Sequence, residues 1–280
     1  MKKIGVIGAG IMGQGVAYQF AKFDYEVCLI DISQEVLDDS KNKIRNISRL
    51  DMLVNREKGP INPTATDNIR YSTDLRDLAD ADFIVENIIE NVDAKTKVYQ
   101  ELSEIIQTTA KVVVNTSCIT ITRIGSLMKH PENVLGIHFM NPVHMRPTVE
   151  VIRGVYTSDE SIETALKTLE SVNMNGIVVN DSPGFVSNRV LMLTVNEAIF
   201  ALQDRVADAE SIDRIHKECF GHTMGPLETA DLIGLDTILY SVEVLYHSFN
   251  DSKYRPAPLL KQMVDAGKLG RKSGEGFFKY

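Results

Sequence analysis

His138 and Glu150 are the residue types of a proton-transfer pair, each set in or just after a short apolar run of β type. An imidazole titrates near neutral pH and so takes and returns a proton, while a carboxylate on its second ring nitrogen fixes the tautomer and stabilises the imidazolium. Ser117, in Asn115-Thr116-Ser117, and Asn188, in the string from Pro183 to Arg189, offer hydrogen bonds to an oxygen that changes between hydroxyl and carbonyl. Together these groups suit the oxidation of a secondary alcohol, in which a base removes the hydroxyl proton as a hydride leaves the carbon. Taken singly they have plainer readings: His138 as a packed structural histidine, Ser117 and Asn188 as helix caps or turn formers. Glu150 is harder to dismiss, because a carboxylate on the buried side of a strand needs a partner.

A hydride needs an acceptor, and the N-terminus supplies a candidate site for one. The apolar run Lys3 to Ile7 leads straight into Gly8-Ala9-Gly10-Ile11-Met12-Gly13, and the residues from Gly15 to Phe23 follow as a helix. Glycines at these positions permit a tight strand-to-helix turn, approach of a pyrophosphate to the backbone and close helix–strand packing, and the helix N-terminus offers free N–H groups. The second run ends at Asp31, about 20 residues on, where a carboxylate accepts hydrogen bonds from both hydroxyls of an adenosine ribose and repels a 2′-phosphate. NAD is therefore expected rather than NADP. The alternative is a glycine turn in an α/β domain that binds no nucleotide.

The elements that must position these groups are those of an α/β chain. Short β-type runs at Lys3 to Ile7, Glu26 to Ile30, Phe83 to Ile88, Lys111 to Asn115, Val134 to Phe139 and Val149 to Ile152 alternate with helical patterns. That alternation predicts a Rossmann-type doubly wound parallel sheet. Between the second and third runs, Val36, Leu37, Ile44, Ile47, Leu50 and Val54 recur at helical spacing, until Gly59, Pro60, Asn62 and Pro63 end the pattern. We read residues 33–58 as an inserted helical arm. From Pro183 on the pattern is helical only, with stretches at about Asp208 to Phe220, Leu227 to Phe249 and Pro258 to Ala266. The expected organisation is a dinucleotide-binding domain over residues 1–182 and an all-α domain over 183–280. Several of the later helices are apolar on more than one side, which predicts a covering second subunit and hence a homodimer.

Composition narrows the function classes. The 280 residues are 44% hydrophobic and 24% charged, as in ordinary globular chains. A formal net charge of −8 without a long basic run argues against nucleic acid as a partner. Apolar runs are strand-sized and broken by Gly or charge, too short to cross a bilayer. Gly8, Gly10 and Gly13 interrupt the N-terminal apolar run before it could form the core of a signal peptide, so a cytoplasmic location is expected. Cys28, Cys118 and Cys219 form no CxxC pair, and neither a disulfide framework nor a metal site is expected.

With these strings in hand, the chain resembles the L-3-hydroxyacyl-CoA dehydrogenase family over essentially all its length. The matching segments are GAGIMG at 8–13, NTS at 115–117, HFMNPV at 138–143, VEVIRG at 149–154, PGFVSNR at 183–189, MGPLETADLIGLDT at 224–237, KYRPAPLL at 253–260 and GRKSGEGFF at 270–278. The resemblance implies His138 and Glu150 as a catalytic pair, Ser117 and Asn188 polarising the substrate, and cofactor contacts at Asp31, Glu90, Lys95, Ser117, Asn141 and Lys272. It also implies a short-chain (S)-3-hydroxyacyl-CoA, such as 3-hydroxybutyryl-CoA, as substrate. Two segments depart from the pattern. The segment before Glu150 reads Val143-His144-Met145-Arg146-Pro147-Thr148, where the family is commonly apolar with a single Lys; Arg146 either extends to solvent or selects a polar acyl group. In the arm, Ile47 and Val54 stand where relatives present Ser and Lys to CoA, although Arg45, Arg49, Arg56 and Lys58 lie near. An acyl carrier protein is accordingly the alternative thioester carrier, and a non-catalytic dinucleotide-binding protein is the reading from a different class.

Overall fold

The computed structural model describes residues 3–54, 64–117 and 119–280. The first unit, Met1–Asp181, is built on one eight-stranded sheet. Its elements in order are β1 (Lys3–Ile7), α1 (Ile11–Ala21), β2 (Glu26–Ile30), α2 (Gln34–Val54), β3 (Ile69–Ser72), β4 (Phe83–Glu86), α3 (Val92–Ile105), β5 (Lys111–Val114), α4 (Ile121–Gly125), β6 (Val134–His138), β7 (Thr148–Arg153), α5 (Asp159–Glu170) and β8 (Asn175–Asn180). The spatial order is β3-β2-β1-β4-β5-β6-β7-β8. The first six of these strands pair in parallel, β7 runs antiparallel to β6, and β8 lies parallel to β7. This is the Rossmann strand order, extended at one edge by a reversed pair.

Strands β4, β5 and β6 are buried along their whole length, and helices on the faces of a parallel sheet explain why their sequences carry contiguous apolar residues rather than alternating ones, with Glu86, Lys111 and His138 only at strand ends. Helix α1 is buried from Gly13 to Ala21, and so offers no polar face. The segment expected as an arm is a single helix of 21 residues, about 31 Å long, that leads from β2 towards β3. Leu37 and Ile44 seat it in the sheet core. Farther along, buried Asp51 accepts a hydrogen bond from Tyr18 Oη of α1 at 2.8 Å and pairs at 2.6 Å with Nζ of Lys22, which caps that helix. One acid of the arm is thus consumed as an anchor, and Arg45 and Arg49 stand exposed beside half-buried Ile47. Arg56, Lys58 and the residues from Gly59 to Pro63 lie outside the described residues.

Strands β3 and β8 and helix α5 were not anticipated. β3 has four residues and half-polar content, and β8 is a largely exposed edge strand whose run Ile177-Val178-Val179 is framed closely by Asn175, Gly176 and Asn180.

The second unit, Ser182–Tyr280, is helical: α6 (Ser187–Gln203), α7 (Ala209–Phe220), α8 (Pro226–Ile233), α9 (Leu235–Phe249) and α10 (Pro258–Asp265). The stretch expected as one helix from Leu227 to Phe249 is broken at Gly234, whose φ of +103° no helical residue adopts. Two buried carboxylates organise this unit. Asp213 accepts the N–H groups of Leu227 and Glu228 at the start of α8, and Asp231 accepts those of Phe277 and Phe278 together with Tyr280 Oη. The GRKSGEGFF string is the chain folded back on Asp231. Core residues Val195, Ile199, Leu227, Ile238 and Leu260 pack around these anchors.

Candidate active site

The strand order reverses direction between β1 and β4, and the carboxyl ends of those strands are where an open α/β sheet forms its ligand crevice. There the Gly8 φ of +94° turns the chain out of β1, and a Cβ on Gly8 would stand 2.7 Å from Asn87 O on the segment following β4. A Cβ on Gly13 would stand 1.8 Å from Gly8 O, so α1 packs against the turn at a distance only glycine permits. Gly10 is the opposite case: a Cβ there would meet nothing within 4 Å, which leaves the backbone open on that side. Gly10 caps α1 without any side-chain hydrogen bond. The helix start is therefore a set of backbone donors with positive dipole beside open space, the arrangement a pyrophosphate requires. Ile11 is exposed next to it and Met12 packs inward on the sheet core.

Asp31 follows β2 directly. Its carboxylate accepts Ala9 N–H at 2.9 Å and Ser33 N–H at 3.1 Å, which ties the glycine turn to the end of the second strand. The donor set and the open glycine fit an adenine dinucleotide.

Across the reversed pair, β6 and β7 set His138 directly opposite Glu150 in the antiparallel register. Side chains of opposed residues project from the same face. His138 Nδ1 lies 3.0 Å from Glu150 Oε2, and both side chains are about nine-tenths buried. With Nδ1 donating to the carboxylate, Nε2 is left as an acceptor, and Ser117 Oγ sits 3.2 Å from it. Ser117 belongs to the segment after β5, so the ends of β5, β6 and β7 supply one continuous hydrogen-bonded line. Asn141 lies exposed in the β6–β7 connection, where Arg146 is exposed as well.

A second polar cluster stands behind that line. Glu86, the fully buried last residue of β4, accepts Lys95 Nζ on both oxygens at 2.8 and 2.7 Å, Tyr99 Oη at 2.7 Å and Ile88 N–H at 2.6 Å. Burial pushes the Glu86 carboxyl up, against the opposing pull of Lys95, and burial raises the Tyr99 phenol as well. Lys95 Nζ also lies 3.7 Å from Glu90 Oε2, and the other Glu90 oxygen accepts Thr116 Oγ and, at 3.2 Å, Ser117 N–H. The Lys95 ammonium is wholly buried, so it meets the crevice through Glu90 rather than by its own exposed head. Glu86, Tyr99 and Thr116 were not singled out from sequence. The signal was present at Glu86, a carboxylate closing the apolar run Phe83-Ile84-Val85, which is the signal that marked Glu150.

Asn188 and Lys272 belong to the helical unit. Asn188 is half-buried in the first turn of α6, and Lys272 pairs with Asp236 in the first turn of α9.

The 3-hydroxyacyl-CoA dehydrogenase NAD-binding domain model matches residues 3–182, and the C-terminal domain model of the same family matches residues 184–280. The chain belongs to the 3-hydroxyacyl-CoA dehydrogenase family. It is 45% identical to the probable 3-hydroxybutyryl-CoA dehydrogenase of Deinococcus radiodurans, over 99% of this chain and 100% of the relative. The corresponding protein of Bacillus subtilis is 41% identical, over 100% of this chain and 98% of its own length. Among solved structures, the (S)-3-hydroxybutyryl-CoA dehydrogenase of Ralstonia eutropha superposes with a TM-score of 0.93 at 37% identity, covering 100% of this chain and 99% of that one. No helix among the described residues is long and apolar enough to cross a membrane, and no described cluster of His, Cys, Asp and Glu is placed to hold a metal ion.

Proposed function

We propose that this chain interconverts (S)-3-hydroxyacyl-CoA and 3-oxoacyl-CoA with NAD(H), on short-chain substrates of the 3-hydroxybutyryl kind. The observation that carries the reading is the line Glu150–His138–Ser117, with the Nε2 of His138 facing away from its carboxylate partner. In oxidation, His138 Nε2 takes the proton of the C3 hydroxyl, and Glu150 stabilises the imidazolium that results. In reduction, the same nitrogen returns the proton to the C3 oxygen. Ser117 hydrogen-bonds that oxygen in either state. Bound NAD supplies the hydride acceptor, and the protein's task is to hold C3 in place beside it.

Gly8, Gly10, Ile11, Met12 and Gly13 would hold the pyrophosphate, Asp31 the adenosine ribose, and Glu90, Ser117 and Asn141 the nicotinamide end, with Lys95 acting by way of Glu90. The division of labour assigns the dinucleotide to residues 1–182 and much of the acyl pocket and a homodimer contact to residues 183–280. Exposed Val190, Phe220, Leu232 and Tyr240 in the helical unit support that contact. Exposed Arg45 and Arg49 on α2 suit the phosphates of CoA, and they equally favour the second reading, docking of an acidic acyl carrier protein in a cytoplasmic setting.

The deciding experiment follows NADH absorbance with acetoacetyl-CoA, acetoacetyl-pantetheine and an acetoacetyl carrier protein. The expected result is turnover with a marked advantage in kcat/KM for the CoA ester at low salt. An advantage for the carrier protein would install the second reading, and NADH binding without turnover on any of them would overturn the enzymatic one. Sedimentation at micromolar concentration is expected to show a dimer, and monomer alone would remove that assignment.

A further inference from the structure

We propose that Glu86 is a positioning residue for the hydride-transfer site, holding Lys95 so that Glu90 keeps Ser117 aligned with His138. The proposal rests on the reading of Ser117 and His138 as substrate-facing groups.

Four hydrogen bonds converge on the Glu86 carboxylate from two parts of the chain: two from Lys95 Nζ and one from Tyr99 Oη of α3, and one from Ile88 N–H just beyond β4. Lys95 in turn reaches Asn115 O at 3.4 Å and Glu90 at 3.7 Å, both longer than its contacts to Glu86. The order of these distances matters. While Glu86 holds the ammonium, Glu90 Oε1 is left to Thr116 Oγ and to Ser117 N–H at 3.2 Å. Thr116 Oγ also accepts Ile119 N–H at 2.9 Å, so the turn that carries Ser117 is fastened at Thr116 from both sides. The line then continues from Ser117 Oγ to His138 and on to Glu150.

A buried ion pair is a poor device for stability alone, since apolar residues of similar volume commonly do as well or better. Its merit here is geometric. If the Glu86 charge is removed, the buried ammonium keeps one carboxylate within ion-pair distance among the described residues, that of Glu90. Lys95 then draws Glu90 towards itself and away from Thr116 and Ser117, and the seryl oxygen loses its fixed place beside Nε2. A displacement of about 1 Å at a reacting group can cost ~100-fold in rate.

The test combines Glu86→Gln with Ser117→Ala and uses two readouts. In protein labelled at histidine, the His138 ring signal of Glu86→Gln is expected to move to its position in Ser117→Ala. In turnover of acetoacetyl-CoA, Glu86→Gln should lower kcat about tenfold in the wild-type background and less than about twofold in Ser117→Ala, because its route of action is already gone there. A wild-type ring signal in Glu86→Gln, or an equal loss of kcat in both backgrounds, would overturn the proposal. Should Glu86→Gln fail to fold, Tyr99→Phe removes a single hydrogen bond from Glu86 and carries the same comparison, with a smaller ring shift expected and no shift counting against it. If the wild type does not turn over acetoacetyl-CoA, the functional reading fails, while the ring signals still decide the role of Glu86.

Discussion

Replacing Glu150 with Gln keeps the size and a hydrogen-bond acceptor at the His138 ring but removes the charge that the imidazolium faces. The contact is 3.0 Å between Nδ1 and Oε2, and little solvent reaches either side chain. Unit charges about 4 Å apart attract by about 4 kcal/mol at an effective dielectric of 20. The amide recovers about 1 kcal/mol as a neutral hydrogen bond. The net loss of about 3 kcal/mol applies where His138 carries the proton, and at 1.36 kcal/mol per decade it corresponds to about a hundredfold in kcat. The measurement is the initial rate of NAD reduction with saturating 3-hydroxybutyryl-CoA, the direction in which the imidazolium forms, alongside NADH binding by fluorescence, which should change less than about twofold. A Glu150→Gln enzyme within threefold of wild-type kcat would refute the assignment of the pair, whatever its stability.

Other outcomes follow from the same geometry. Asp31→Ala should lower kcat/KM for NADH and move the NADH-to-NADPH preference by at least tenfold towards NADPH, since the repelling carboxylate is gone; an unchanged ratio in steady-state assays with both cofactors would detach Asp31 from the ribose. Gly13→Ala forces a Cβ against the Gly8 carbonyl and should cost about 3 kcal/mol or more, read as a fall of the melting temperature by about 6 °C or more with loss of NADH binding. Burial pushes the His144 imidazole below its ordinary value, with Tyr18, Asp51 and Lys22 around it. The unfolded chain therefore takes up that proton at higher pH than the folded one, so the associated stability is present above the ordinary histidine range and is lost as pH falls through it. His144→Gln should accordingly lose less melting temperature than wild type between pH 7.5 and 5.5.

The glycine turn, Asp31 and the strands that precede them were legible because local chain stiffness and ligand chemistry act on the same few residues. Strands β1 and β2 have the bounds their apolar runs predict. His138 and Glu150 were legible as types, but their union depends on β7 running against β6, a pairing that no local pattern encodes. Asp51 belongs to the arm helix yet is buried against α1, because helical spacing places it on the face of Leu37 and Ile44, and no charge pattern in the arm marks it as different from its exposed neighbours. Glu86 carries the same signal as Glu150, a carboxylate closing an apolar run, but the run alone does not name Lys95 and Tyr99 of the following helix as its partners.

The β6–β7 ladder has one more consequence. His138 and Glu150 are locked to each other by backbone pairing within the sheet, while the nine residues between the strands form a loop that the register does not constrain. Insertions, deletions and exchanges among His144, Met145 and Arg146 can therefore accumulate without disturbing the proton-transfer pair, provided the two strands keep their alignment. A slip by one residue would instead turn Glu150 to the opposite side of the sheet and end the reaction. The fold thus separates a part free to diversify from a part that must be inherited whole, and an engineer seeking new acyl preferences would begin with the loop.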